Sequence, residues 1–215
     1  MTSGRNTRST LRAQLVQAGR TQWLDVGCGN NIEPGFRRMD TYPVTSFPMR
    51  QRRGYIRSDI LKLTDRRAAS LGAFDVVRLQ HVFEHFTFED GGKVLKNCAK
   101  LLKTDGIILI TVPDLKVHIR RYLRDQYKAS SGFRSWAQER VPKDSPNSFY
   151  FAMFAHSWPH EQHKWCYDYE GLRYQLEACG EFKSIRHLSF KNPLASYPFT
   201  HNRPDEDVCA MAVKR

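Results

Sequence analysis

"WLDVGCGNNIEPGFRRMD", from Trp23 to Asp40, is the stretch that decides the fold. It opens on an apolar run that reads as a buried strand, turns on Gly27 and Gly29, and closes on an acid after a second strand-like segment. A dinucleotide site would read G-x-G-x-x-G, with its acid about 20 residues further on. It would also need a helix whose first amides hold the pyrophosphate. Here Asn30, Asn31 and Ile32 follow the glycines, and Pro34-Gly35 leave almost no room for that helix. So short a cradle suits a nucleoside ligand that carries no phosphate. Asp40, at the end of the second strand, is placed to accept from two ribose hydroxyls. Asp59, in "RSDIL" at the end of the third, is placed to accept from an exocyclic adenine amine. Asp25 can anchor the turn or face an ammonium group through water.

Outward from that stretch, further strand-like runs recur. With the flanks of the opening stretch they are Gln22–Val26, Arg37–Thr41, Tyr55–Asp59, Phe74–Leu79, Gly106–Val112, Lys183–Phe190 and Val208–Val213. Helical patterns lie between several of them. In Glu89–Leu102, the residues Val94, Leu95, Cys98, Leu101 and Leu102 recur at three-to-four spacing, and Asp105-Gly106 is expected to end that helix and start the next strand. A second helix begins at Asp168 and is closed by Gly180, and a short one is expected near Leu11–Ala18. Strands alternating with helices predict an α/β fold, doubly wound, with a mainly parallel seven-stranded sheet. The last two runs are joined by a Pro-containing loop, which predicts a terminal antiparallel strand. The whole chain, 1–215, reads as one domain with a basic tail over 1–21. The rhythm breaks over 117–164, which reads as a helical insertion over the carboxyl edge of the sheet, where open α/β sheets bind ligands.

Composition narrows the class. Lysine and arginine total 34 against 22 acids, a formal charge of +12, which keeps an anionic partner in play. The positive charge is scattered, however, so solvated faces account for most of it. No run reaches the roughly 18 apolar residues of a membrane helix. The five cysteines form no C-x-x-C pair and are odd in number, which points to a reducing, cytoplasmic setting without a disulfide framework.

"LDVGCG", "FDVVRLQHVFEHF" and "LLKTDGIILITVPDL" resemble the first, fourth and fifth strand motifs of class I S-adenosylmethionine-dependent methyltransferases. "YDYEGLRYQLEACGEF" resembles the helix before their sixth strand. The short "CGNNIEPGFRRMD" link is similar to a branch of small members, several acting in glycan or secondary-metabolite pathways. The resemblance implies S-adenosylmethionine as cofactor. It implies Asp25, Gly27, Cys28 and Gly29 at its methionine and ribose end, Asp40 on the ribose, and Asp59 with Ile60 on the adenine. Gln80 and His81 would sit beside the reacting sulfonium.

Methyl transfer is an in-line displacement, and a base is needed where the acceptor is a weakly acidic alcohol. "HVFEHF" offers His81, Glu84 and His85, of which Glu84 is expected to start the next helix and bond to its own backbone. "AHSWPHEQHKWCYD" offers His156, His160 and His163, of which His160 or His163 is the candidate base, with Trp158, Trp165 and Tyr167 as stacking area for an acceptor. Pro159 interrupts that segment and no acid or cysteine completes a familiar ligand set, so no metal is expected. The fourth strand lacks a [D/N]-P-P-[Y/F] loop, and no Pro-Cys pair supports a pyrimidine adduct. The acceptor is therefore expected to be a small molecule or glycan, methylated on oxygen. An RNA acceptor gripped by the basic insertion is the first alternative, and a non-catalytic binding protein of this fold the second.

Overall fold

The apolar runs become strands close to where the sequence puts them. The computed structural model describes residues 10–29, 32–43, 53–124, 162–190, 198–201 and 203–215. Its strands are β1 (Trp23–Val26), β2 (Phe36–Asp40), β3 (Tyr55–Arg57), β4 (Phe74–Gln80), β5 (Leu102–Pro113), β6 (Phe182–Leu188) and β7 (Asp207–Lys214). Among the described residues the helices are α1 (Leu11–Gln17), α2 (Asp65–Leu71), α3 (Phe88–Leu101), α4 (Leu115–Leu123) and α5 (Tyr169–Cys179). All seven strands join one sheet in the order β3-β2-β1-β4-β5-β7-β6. Only β7 runs against its neighbours, pairing antiparallel with β5 and β6, while the other pairs are parallel.

Local chemistry explains the helix limits. Thr87 caps α3 by accepting from the Asp90 amide, and Asp168 caps α5 by accepting from the Gly171 amide at 2.8 Å. Gly180, in the left-handed region, ends α5. Alternate residues of β4 then feed two cores. Val77 and Leu79 pack toward Val94, Leu95 and Cys98 of α3, whereas Val76 joins Trp23, Leu109 and Leu15 of α1 on the other face.

One boundary differs from the sequence reading. The helix does not end on Asp105-Gly106; α3 gives way to β5 at Leu102. Leu102 pairs with Phe74, and the register then shifts before Val76 meets Ile107. Both leucines of the Leu101-Leu102 pair are buried, one from a helix and one from a strand, so the chain must straighten between them. Asp105, at a φ of 57°, sits inside this irregularity rather than at its end.

Parallel strands share an edge, and here the carboxyl ends of β1, β2 and β4 bring Gly27, Asp40 and Gln80 together. No helix occurs among the described residues linking β1 to β2. The stems of the 117–164 segment close on the same edge. The Leu115 amide donates to the Tyr167 carbonyl at 2.8 Å, and Asp114 bridges Tyr167 in parallel. α4 starts at Leu115, two residues before the expected insertion, and residues 125–161 lie outside the described chain.

Candidate active site

A cleft of about 580 Å³ opens along this carboxyl edge. Its floor is the glycine turn, Val26 to Gly29, and its walls come from the ends of β2 and β4, from Ser58 to Leu61, and from His163 and Lys164. The volume lies within the usual range of sites for small organic ligands.

Asp40 organises the turn. Its Oδ2 accepts from the Gly29 amide at 2.8 Å and its Oδ1 from the Thr41 amide at 2.6 Å. The two glycines have different reasons to be glycine. At Gly27, φ is +67° and an added Cβ would lie 2.5 Å from a Val82 methyl, so the turn is packed against protein at that point. At Gly29, φ is +49° and an added Cβ would meet nothing within 4 Å among the described residues, so this backbone lies open toward the cleft. Cys28 also lines the cleft, and burial, with Asp40 nearby, pushes its thiol up to about 12. It is a neutral wall atom, not a nucleophile. Asp59 and Ile60 form the next part of the wall, with Asp59 Oδ1 accepting from the Leu61 amide at 2.9 Å.

Asp25 stands apart from the rest of the expected set. It is not among the cleft-lining residues, because the β1–β4 register puts it opposite Arg78. The guanidinium donates to both its oxygens, at 2.9 and 2.6 Å, in a pair that is almost wholly buried. Glu33 approaches the same guanidinium at 3.6 Å, and Arg78 lies over the Phe36 ring at 4.6 Å. The turn's first acid thus anchors the sheet.

The far end of the cleft is built around β4's exit. Gln80 and His81 line it, and His81 takes a φ of 54°, strained for a residue with a Cβ. A 3-10 turn over Phe83–His85 follows, not the start of α3, and it buries Glu84. This corrects the expectation for Glu84, whose side chain turns into the site rather than back to its own backbone. His81 Nδ1 lies 3.4 Å from Glu84 Oε1, while its Nε2 lies 2.7 Å from Asp207 Oδ2. His201 reaches that same Asp207 oxygen at 2.9 Å. Burial works against charge on His81, but Asp207 and Glu84 outweigh it and lift the imidazole to about 9. Burial likewise acts to raise Glu84 and Asp207, and the facing histidines overcome it, holding both below the ordinary carboxylate range.

Of the three candidate bases, the structure brings two together. His85 and His163 both line the cleft with ring centroids 5.0 Å apart, and His163 Nε2 lies 3.9 Å from Glu84 Oε1. The Lys164 and Trp165 amides donate to the Glu84 carbonyl at 2.8 and 3.2 Å, pinning the end of the 117–164 segment to the turn after β4. His160, with His156 and Trp158, lies outside the described residues. Tyr167 is buried, donating to Gln175 at 2.6 Å, so it packs the core, while Trp165 remains exposed beside Phe88. Glu84 is set aside by the sequence reading as a helix-start residue, and His201, Arg203 and Asp207 were not anticipated as site residues. The last three sit in or beside "HNRPDEDV", which has no periodicity or motif to mark it.

The methyltransferase-domain family matches residues 3–180, most of the chain. The chain belongs to that family. It is a class I S-adenosylmethionine-dependent methyltransferase. This methyltransferase has no match among curated proteins. Its fold is similar to that of a SAM-dependent methyltransferase from Archaeoglobus fulgidus, at 18% identity over 95% of this chain and 93% of the other, with a TM-score of 0.53. It is also similar to magnesium protoporphyrin IX methyltransferase from Synechocystis, at 13% identity over 95% and 80% of the two chains, with a TM-score of 0.50. At such identities the likeness is one of fold. No helix among the described residues is long and apolar enough to cross a membrane.

Proposed function

We propose that this methyltransferase moves a methyl group to an oxygen of a small-molecule or glycan acceptor, in the cytoplasm. The observation that carries the reading is the Glu84–His85–His163 cluster on the wall of the same cleft as the glycine turn. When bound, S-adenosylmethionine supplies a methyl group on a cationic sulfur. The residues present fit it: the backbone open at Gly29, Asp40 for the ribose hydroxyls, Asp59 and Ile60 for the adenine, and Gln80 with His81 at the sulfur end. Asp25 acts through the sheet, not on the cofactor. The acceptor enters on the side of His85, His163 and Lys164, and the 117–164 segment selects it. There the imidazoles and Glu84 hold the acceptor's hydroxyl proton as the oxygen approaches the methyl group in line.

Calorimetric titration with S-adenosylmethionine, followed by a panel of hydroxyl and amine acceptors, tests this reading. Single-turnover kinetics of His85→Ala, His160→Ala and His163→Ala, each with its cofactor affinity, then separates the histidines. Turnover is expected to fall by roughly 10²–10⁴-fold without a matching loss of cofactor affinity. Amine acceptors turning over with all three variants intact would overturn the oxygen assignment. The formal charge of +12, with Lys164 and Arg203 on the cleft, favours RNA as the second reading. RNA binding that weakens steeply with salt would establish it.

A further inference from the structure

Two clusters of two histidines and one carboxylate stand at or beside the cleft, and they differ in one measurable way. In the first, His81 and His201 both touch Asp207 Oδ2, at 2.7 and 2.9 Å. These are direct contacts that leave no space between the groups. In the second, the ligand atoms of Glu84, His85 and His163 lie within 4.8 Å of one another, yet Glu84 and His163 stand 3.9 Å apart. That gap is too long for a hydrogen bond. Two ligands at about 2.0–2.1 Å from one ion stand about 3.4 Å apart at the tetrahedral angle, and further apart as the angle widens.

The carboxylate itself adds a second observation. Both Glu84 oxygens are shut off from solvent and, like those of Asp207, make no well-aligned hydrogen bond among the described residues; unlike Asp207, Glu84 also has no imidazole in direct contact. His81 Nδ1 stands 3.4 Å from one of them, so the imidazole is shared between Glu84 and Asp207. A buried carboxylate left so is costly unless something else occupies its lone pairs. The neighbouring histidine is pre-set in the matching way. The Gln162 carbonyl lies 3.3 Å from His85 Nδ1 and can only accept from it. Metal-binding histidines are commonly fixed by such a carbonyl.

We propose that Glu84, His85 and His163 form a site for one first-row divalent transition ion, such as Zn²⁺. Two imidazoles and a carboxylate suit these ions, whereas Mg²⁺ prefers oxygen ligands throughout. The three side chains leave coordination positions open toward the cleft, where an acceptor hydroxyl binds. Ionised at the metal, the acceptor loses its proton to water in the cleft. Its oxygen then forms the bond to the methyl carbon as the carbon–sulfur bond breaks, with the electron pair going to sulfur. This rests on reading the cleft as a methyl-transfer site, and it makes His85 and His163 ligands rather than free bases.

The test is Co²⁺ titration of untagged, chelator-treated protein, read by visible absorption and by metal content after dialysis, with Zn²⁺ as competitor. We expect about one Co²⁺ per chain, displaced by Zn²⁺. His163→Gln and Glu84→Gln are expected to weaken it at least 100-fold with circular dichroism unchanged. His187→Gln, on exposed β6, is expected to bind as the wild type does. Absence of Co²⁺ from the wild type, retention in the His163 and Glu84 variants, or binding of Mg²⁺ alone would overturn the site. S-adenosylmethionine affinity, measured on the same samples, separates the two ideas. Cofactor binding without Co²⁺ removes the metal and leaves methyl transfer standing. Co²⁺ binding without cofactor keeps the metal and removes the methyl-transfer reading.

Discussion

Asp25 in β1 and Glu84 in the turn after β4 are both buried carboxylates, and they are partnered in opposite ways. Asp25 is clasped by both arms of the Arg78 guanidinium. Glu84 faces imidazoles at 3.4 and 3.9 Å and spends neither oxygen on a hydrogen bond among the described residues. A bidentate guanidinium uses a carboxylate fully and fixes it. Imidazoles at longer range neutralise the charge but leave the lone pairs available. The first arrangement belongs to the scaffold, and the proposed function gives the second to the chemistry, although sequence alone would rank the acid of the glycine motif above the acid of "HVFEHF".

The strongest way to break this contrast is Arg78→Met. It should strand Asp25 as an unpaired buried charge and cost roughly 3–5 kcal/mol in urea unfolding. Cofactor affinity of the folded protein should stay within a few-fold. A loss below about 1 kcal/mol would mean that Asp25 is not the anchor described. Glu84→Gln should do the reverse. Turnover is expected to fall at least about 10²-fold, with a smaller stability loss than Arg78→Met; equal stability losses in the two variants would dissolve the distinction.

Asp40→Ala sharpens the picture from a position between the two roles, since Asp40 holds the Gly29 amide and also lines the cleft. We expect roughly 1–3 kcal/mol weaker S-adenosylmethionine binding by calorimetry. Unchanged affinity in a folded variant would remove Asp40 from the ribose. The smallest effect belongs to a carboxylate with a purely local task. Asp168→Ala should cost about 1 kcal/mol as the lost cap of α5. Burial tends to raise the Asp168 carboxyl, but the Gly171 amide and Lys116 outweigh it and hold it below its ordinary value. A lowered carboxylate contributes fully above its unfolded pKa and loses that contribution as pH falls through the folded value. The gap between wild type and Asp168→Ala should therefore close in acid, below about pH 4.

The sheet and the glycine turn were legible because they are local. Apolar runs such as "FDVVRL" announce strands, and Asp40 and Gly29 sit close enough in sequence to read as one cradle. The partners of the buried acids were not legible, since they depend on register and on closure. Asp25 meets Arg78 only because β1 and β4 become neighbours with those residues opposite each other. Glu84 meets His163 only because the stems of a long segment are tied at Asp114 and Tyr167. No spacing rule spans that distance. The division of labour between Gly27 and Gly29 was hidden for the same reason, as it depends on where Val82 comes to lie.

The placement of β7 has a consequence for how the molecule comes together in time. Among the described residues β6 pairs only with β7, and β7 is the later of the two in the chain. During synthesis the five parallel strands that come first can assemble while β6 waits, an unpaired edge, for a strand still to emerge. That last strand also begins with Asp207, the partner of His81. Pairing β6 and bringing Asp207 against His81 are one event, so that wall of the cleft is completed only when β7 joins the sheet.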